Sequence, residues 1–149
     1  MKKLRAGIIG CGQIAGGYDI ECKKGMSLTH ACSYNQIDQI DLIAACDPDI
    51  KKVKAFAKKW NISNVFASAT EMLNNIDLDI VSICSPTEYH LEAFIDISKA
   101  KTVKGIFCEK PLSYDLQESY EILNISKNYS VSLNYFRRWN PKLVKLWND

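Results

Sequence analysis

Four stretches of the chain carry residue types suited to chemistry. The first is Gly10-Cys11-Gly12-Gln13-Ile14-Ala15, directly behind the apolar run of Leu4, Ala6, Ile8 and Ile9. A strand, then G-x-G-x-x-A, then a helix is an arrangement that receives a pyrophosphate. Gly10 permits the sharp turn, and Gly12 has no side chain to hold a phosphate off the main chain. Ala15 is small enough for a helix to lie close to a sheet. Gln13 and Ile14 open the expected helix, whose first N–H groups and partial positive charge face the phosphates. The second stretch is Asp47, past the apolar residues 41–46, where a carboxylate can accept hydrogen bonds from ribose hydroxyls. Its alternative role is to open the turn at Pro48. The third is Ser85-Pro86-Thr87, with His90 one helical turn on. It lies at the carboxyl end of a strand, the edge where open α/β sheets bind ligands. His90 could equally be a packed residue. The fourth is Glu109-Lys110-Pro111, which ends the apolar run 103–108. A lysine at a strand tip can give or take a proton, and the proline confines it to extended conformations. Whether the Lys110–Pro111 bond is cis or trans is not fixed by sequence.

The candidate cofactor contacts are therefore Gly10, Gly12, Gln13, Ile14, Asp47, Ser85, Pro86, Thr87, His90, Glu109 and Lys110. Lys110 is the candidate catalytic residue. No arginine follows Asp47 to receive a 2′-phosphate, so NAD is favoured over NADP. The fingerprint-to-acid spacing exceeds the usual ~20 residues. A polar, glycine-bearing insertion, 16–27, accounts for the excess and reads as a loop over the cofactor site.

These residues need a parallel sheet beneath them. Apolar runs at 4–9, 41–46, 65–66, 79–84, 103–108 and 130–134 alternate with helical patterns. The helices are expected from near Thr29, over 50–60, over 70–73, after Thr87 as a cap, and over 116–127. Asp49 and Asp115 stand where N-caps belong. Helix 50–60 should bury Val53, Phe56, Ala57 and Trp60 and leave five lysines on a solvated face. The helix after Thr87 should bury Leu91, Phe94, Ile95 and Ile97. Strands alternating with helices mean α/β architecture: a doubly wound parallel (Rossmann) sheet of about six strands with right-handed crossovers.

At 149 residues, with 47% hydrophobic and 24% charged residues, the chain has the make-up of one ordinary globular domain. A net charge of +2 gives no reason to expect nucleic acid or a membrane surface as partner. The six cysteines form no C-x-x-C and do not group with the two histidines, so no metal is expected. Cys11, Cys46, Cys84 and Cys108 follow or end apolar runs, as small buried thiols in a reducing cytoplasm would.

The motifs taken together resemble the glucose-fructose oxidoreductase, inositol dehydrogenase and rhizopine-catabolism (Gfo/Idh/MocA) oxidoreductases. The matching pieces are residues 7–15 (GIIGCGQIA), Thr29-His30-Ala31, Cys46-Asp47-Pro48, 82–90 (SICSPTEYH), 108–113 (CEKPLS) and 134–141 (NYFRRWNP). The resemblance implies an NAD(P)-binding domain over 1–135, with 136–149 starting a linking helix. It implies that Lys110 orients a substrate hydroxyl and shuttles its proton. Substrates would be sugars, cyclitols or sugar nucleotides. Arg137 and Arg138 match a basic pair that faces substrate or cofactor, or else forms a salt bridge to the sheet edge. Members of the family continue into a second α/β domain that supplies most substrate contacts, a further catalytic residue and the oligomer interface. This chain stops at Asp149, so turnover by it alone is not expected. Trp139, Leu143, Leu146 and Trp147 form an apolar stripe that either folds back or drives homo-oligomer formation. Two other readings share the glycine-rich turn. One is a free-standing, non-catalytic NAD(H)-binding module or partner subunit. The other is an S-adenosylmethionine-dependent methyltransferase, which leaves Glu109-Lys110-Pro111 and Ser85-Pro86 unexplained.

Overall fold

Short runs of β-branched and small apolar residues, each closed by glycine, proline or a capping side chain, give six strands. They are β1 (Leu4–Ile9), β2 (Ile40–Cys46), β3 (Asn64–Phe66), β4 (Ile80–Ile83), β5 (Gly105–Cys108) and β6 (Ser130–Leu133). In the computed structural model, which describes residues 2–140 and 143–145, they form one parallel sheet of order β3-β2-β1-β4-β5-β6. The order reverses between β1 and β4, leaving a crevice at their carboxyl ends.

Five helices cover the sheet: α1 (His30–Asn35), α2 (Ile50–Trp60), α3 (Ala69–Asn75), α4 (His90–Lys99) and α5 (Leu116–Ser126). Because side chains alternate along a strand, Ile8 and Ile9 of β1 enter opposite layers. Ile8 packs with Ala31, Tyr34, Val53, Phe56 and Trp60. Ile9 packs with Met72, Val81, Phe94, Ile97 and Ile122. Ile8 and Phe94 have no exposed surface, and burial of each such side chain contributes roughly 1.5–3 kcal/mol. Asp49 caps α2 through the Lys51 and Lys52 N–H groups, and Asp115 caps α5 through that of Glu118.

Four local expectations need correction. The helix expected after the fingerprint is a single wide turn, Gln13–Gly17, in which Gly17 N–H and Tyr18 N–H donate five residues back. Gly16 lies so close to α2 that an added Cβ would sit 2.2 Å from Trp60 Nε1, and the chain leaves the sheet there. Thr87 does not cap α4. It opens a short 3-10 turn, Thr87–Tyr89, and neither turn nor helix has a side-chain cap. Ile95 is 38% exposed rather than buried. Two of the five α2 lysines are engaged rather than merely solvated: Lys52 pairs with Asp47, and Lys59 donates to Gly16 O and Asp19 O.

The insertion after the wide turn is tied down. Asp19 accepts from Leu28 N–H and from the Thr29 hydroxyl, and Cys22 is disulfide-bonded to Cys32 of α1, a pairing not read from the sequence. The other four cysteines are buried free thiols. No helix among the described residues is long and apolar enough to cross a membrane. Residues 143–145 are helical, with Leu143 and Val144 partly exposed; Leu146 and Trp147 of the expected stripe lie outside the described residues.

Candidate dinucleotide site

The sheet ladder continues one residue past each strand and sets the candidate residues in a row. Asp47 N–H donates to Phe66 O, Gly10 N–H to Cys46 O, Cys84 N–H to Ile9 O, Glu109 N–H to Ile83 O and Asn134 N–H to Cys108 O. Across the carboxyl edge the order is therefore Asp47, Gly10, Cys84, Glu109, Asn134, with Ser85 directly after Cys84. Residues up to 124 positions apart in sequence (Gly10 to Asn134) are neighbours in one line.

The two glycines of the turn do different work. Gly10 has φ +86°, and an added Cβ would stand 2.6 Å from the Ser85 main-chain nitrogen. It is required by the fold, because backbone meets backbone there. Gly12 has no atom within 4 Å of where its Cβ would be. Its bare main chain opens onto free space, as a pyrophosphate cradle must. Gln13, exposed, and Ile14, half-buried, start the wide turn, whose first N–H groups have no carbonyl one turn earlier to bond. Since only one turn follows, those N–H groups, rather than a summed helix dipole, are what the site offers an anion.

Beside the turn is a cleft of about 400 Å³ lined in part by Gly10, Asp47, Pro48, Lys52, Ser85 and Pro86. The Ser85 hydroxyl is buried without a hydrogen-bond partner among the described residues, so a ligand atom there would satisfy it. Asp47 is 6% exposed. Its Oδ2 accepts from Cys11 N–H at 2.9 Å and meets Lys52 Nζ at 2.7 Å, while Oδ1 accepts from Asp49 N–H. Burial opposes its ionisation, but Lys52 and the two N–H groups outweigh burial and hold the carboxyl below its ordinary range. The carboxylate thus fastens the glycine turn to β2 as well as facing the cleft.

Farther along the edge, Lys110 is exposed at the tip of β5 and its bond to Pro111 is cis. Arg137 and Arg138 are exposed on the turn Phe136–Trp139 after β6. Two residues expected to touch a cofactor lie behind the surface instead. His90 is fully buried, with Nδ1 bonded to Leu112 O and Nε2 to Ser85 O, both at 3.1 Å. It ties the Ser85 turn to the segment after Pro111 and can act on the crevice only through them. Thr87 is 8% exposed, so only Ser85 and Pro86 of that stretch line the cleft.

Sequence reasoning did not single out the polar chain behind Glu109. The Glu109 Oε1 atom accepts from His30 Nε2 at 2.9 Å and from Asn134 Nδ2 at 2.5 Å. His30 Nδ1 meets Ser82 Oγ at 2.9 Å, and Tyr34 OH meets Ser82 Oγ at 2.6 Å. The available signal was Ser82, a hydroxyl inside an otherwise apolar strand. A buried polar side chain there needs a partner.

An open glycine cradle at a topological switch point, with a carboxylate one strand over, defines a dinucleotide-binding α/β domain. Residues 4–135 match the family described as "Oxidoreductase family, NAD-binding Rossmann fold", the Gfo/Idh/MocA oxidoreductases, and the chain belongs to that family. It is 29% identical over 145 residues to the myo-inositol 2-dehydrogenase of Thermotoga maritima, covering 96% of this chain and 39% of the relative. It is 28% identical over 132 residues to the D-glucoside 3-dehydrogenase of Escherichia coli, covering 89% and 34%. Among solved structures, the WlbA dehydrogenase of Chromobacterium violaceum in complex with NADH and UDP-GlcNAcA superposes with a TM-score of 0.72. The identity there is 25%, covering 89% of this chain and 35% of that one. The chain thus spans little more than a third of the length of the relatives it matches.

Proposed function

We propose that this chain is the cofactor-binding part of an NAD-dependent oxidoreductase acting on a hydroxyl-bearing carbon of a sugar, cyclitol or sugar nucleotide. The observation that carries the reading is the shared edge: the open cradle at Gly12 and the exposed Lys110 stand at the ends of β1 and β5 of one sheet. Dehydrogenases of an inositol and of a glucoside among the relatives support the substrate class. In this reading Gly12 and the start of the wide turn hold the pyrophosphate, and Asp47 receives the adenosine ribose hydroxyls. No arginine follows Asp47 to receive a 2′-phosphate, which favours NAD over NADP. Bound NAD supplies the hydride acceptor. As hydrogen leaves the hydroxyl-bearing carbon with both electrons of its C–H bond, the unprotonated amine of Lys110 takes the proton of the substrate hydroxyl, and it returns that proton in the reverse direction. Lys110 is exposed, and the chain spans little more than a third of the length of the relatives it matches. The 149-residue chain by itself is therefore expected to bind dinucleotide and not to turn over a sugar. Four buried free thiols support a cytoplasmic location, and the Cys22–Cys32 bond is the feature that speaks against it.

Titration with NADH, NADPH and S-adenosylmethionine, followed by tryptophan fluorescence, tests the cofactor assignment. NADH is expected to bind tightest, and a tighter response to the methyl donor would end the oxidoreductase reading. Gly12→Asp should abolish NADH binding while leaving thermal unfolding nearly unchanged, because its side chain enters open space.

A further inference from the structure

Behind the tip of β5, the hydroxyls and rings of three elements meet one carboxylate. The bonding is directional. Ionised Glu109 can only accept, so His30 Nε2 must carry the hydrogen. With a neutral ring, Nδ1 is then an acceptor. Ser82 donates to it, and Tyr34 donates to Ser82, so every group in the chain is satisfied. A doubly protonated His30 would reverse Ser82 and leave the Tyr34 hydroxyl, buried in the core, with no acceptor among the described residues. The neutral Nε2–H form therefore fits the site.

The other groups facing the pair are Cys84, just past β4, and Cys108 of β5, thiols that burial keeps protonated. Burial likewise pushes the Tyr34 hydroxyl up to about 12. Burial opposes ionisation of Glu109, but the hydrogen bonds from His30 and Asn134 and the electrostatic attraction of the imidazole outweigh it and keep the carboxyl below its ordinary range. The result is a nearly buried anion held by an imidazole and an amide, with two hydroxyls behind the imidazole. Such a charge is stabilised by a cation arriving beside it.

We propose that Glu109 and His30 are positioning residues. In this role they hold a fixed negative charge on the β5 side of the crevice, where it favours the oxidised, cationic nicotinamide over the reduced, neutral ring. The inference rests on the dinucleotide reading above. It deepens that reading by assigning the site a preference between the two redox forms.

The test is to titrate NAD⁺ and NADH separately into the full chain and its Glu109→Gln variant by calorimetry, with nitrogen NMR of the imidazoles as a second readout. Only His30 and His90 contribute imidazole signals. In the wild type, His30 should be neutral and protonated at Nε2. Glu109→Gln should weaken NAD⁺ about tenfold relative to NADH, a change in ratio that a purely structural role would not produce. Should that variant fail to fold, Asn134→Lys places a compensating ammonium beside the same carboxylate and should shift the ratio in the same direction. An unchanged ratio, or a doubly protonated His30 at neutral pH, overturns the proposal while leaving dinucleotide binding intact. A wild-type chain that binds neither form overturns the dinucleotide reading and this inference with it.

Discussion

Two carboxylates, Asp47 and Glu109, end strands on either side of the switch point and are both nearly buried, yet they are held by different chemistry. Asp47 is fastened by two main-chain N–H groups and by Lys52, whose side chain is 46% exposed. Glu109 is fastened by a buried imidazole and an amide, with a hydroxyl chain behind the imidazole. The Asp47 anion is thus neutralised at the surface and anchors a turn, while the Glu109 anion is held inside a network of side chains. A carboxylate satisfied by main chain and a mobile lysine can rearrange when a ribose arrives. One built into a side-chain network cannot move without unseating its partners. The adenosine side is therefore adaptable and the β5 side preorganised, a division that suits binding on one side and chemistry on the other.

The sharpest way to break this contrast is removal of the carboxyl at Glu109. Glu109→Ala orphans His30 Nε2–H and the Asn134 amide, and should lower unfolding free energy by about 2–4 kcal/mol in urea melts. Asp47→Ala should cost less stability, about 1–2 kcal/mol. Its main effect should be a loss of NADH affinity on the order of 10- to 100-fold, with NADPH affected less, and equal losses for both would remove Asp47 from ribose recognition. Acid titration follows. Both carboxyls ionise more readily folded than unfolded, so the stability they contribute is complete above the ordinary carboxylate range. It disappears as pH falls through their lower folded values. Urea midpoints should be flat from pH 7 to about 5 and fall below about 4, and Glu109→Gln should make the fall shallower. The smallest effect belongs to Lys52→Ala. Screening by solvent limits that ion pair to roughly 0.5 kcal/mol or less, and a larger loss would mean that Asp47 depends on its cation as Glu109 depends on its network.

Much of the fold was legible because it is written locally. Strand runs, the Asp49 and Asp115 caps, and the buried stripe of Val53, Phe56, Ala57 and Trp60 each follow from neighbours within a few residues. The errors fall where a distant surface decided. No local pattern says that Gly16 must clear Trp60, so the wide turn Gln13–Gly17 was not distinguished from the start of an ordinary helix. His90 looked like a site residue because its place in the chain is right. Only its bonds to Ser85 O and Leu112 O show that the ring faces inward. The fingerprint likewise presents Gly10 and Gly12 as a pair, though one is demanded by a backbone approach and the other by empty space.

Sequence by itself determined the strand–helix alternation, the glycine turn, and the acid and lysine at strand ends, since each depends on residue type and short spacing. Tertiary structure alone decided which polar groups share a proton path and which face a ligand. The partners of Glu109 come from residues 30 and 134, and hydrogen bonds over such separations exist only once the sheet has brought the segments together.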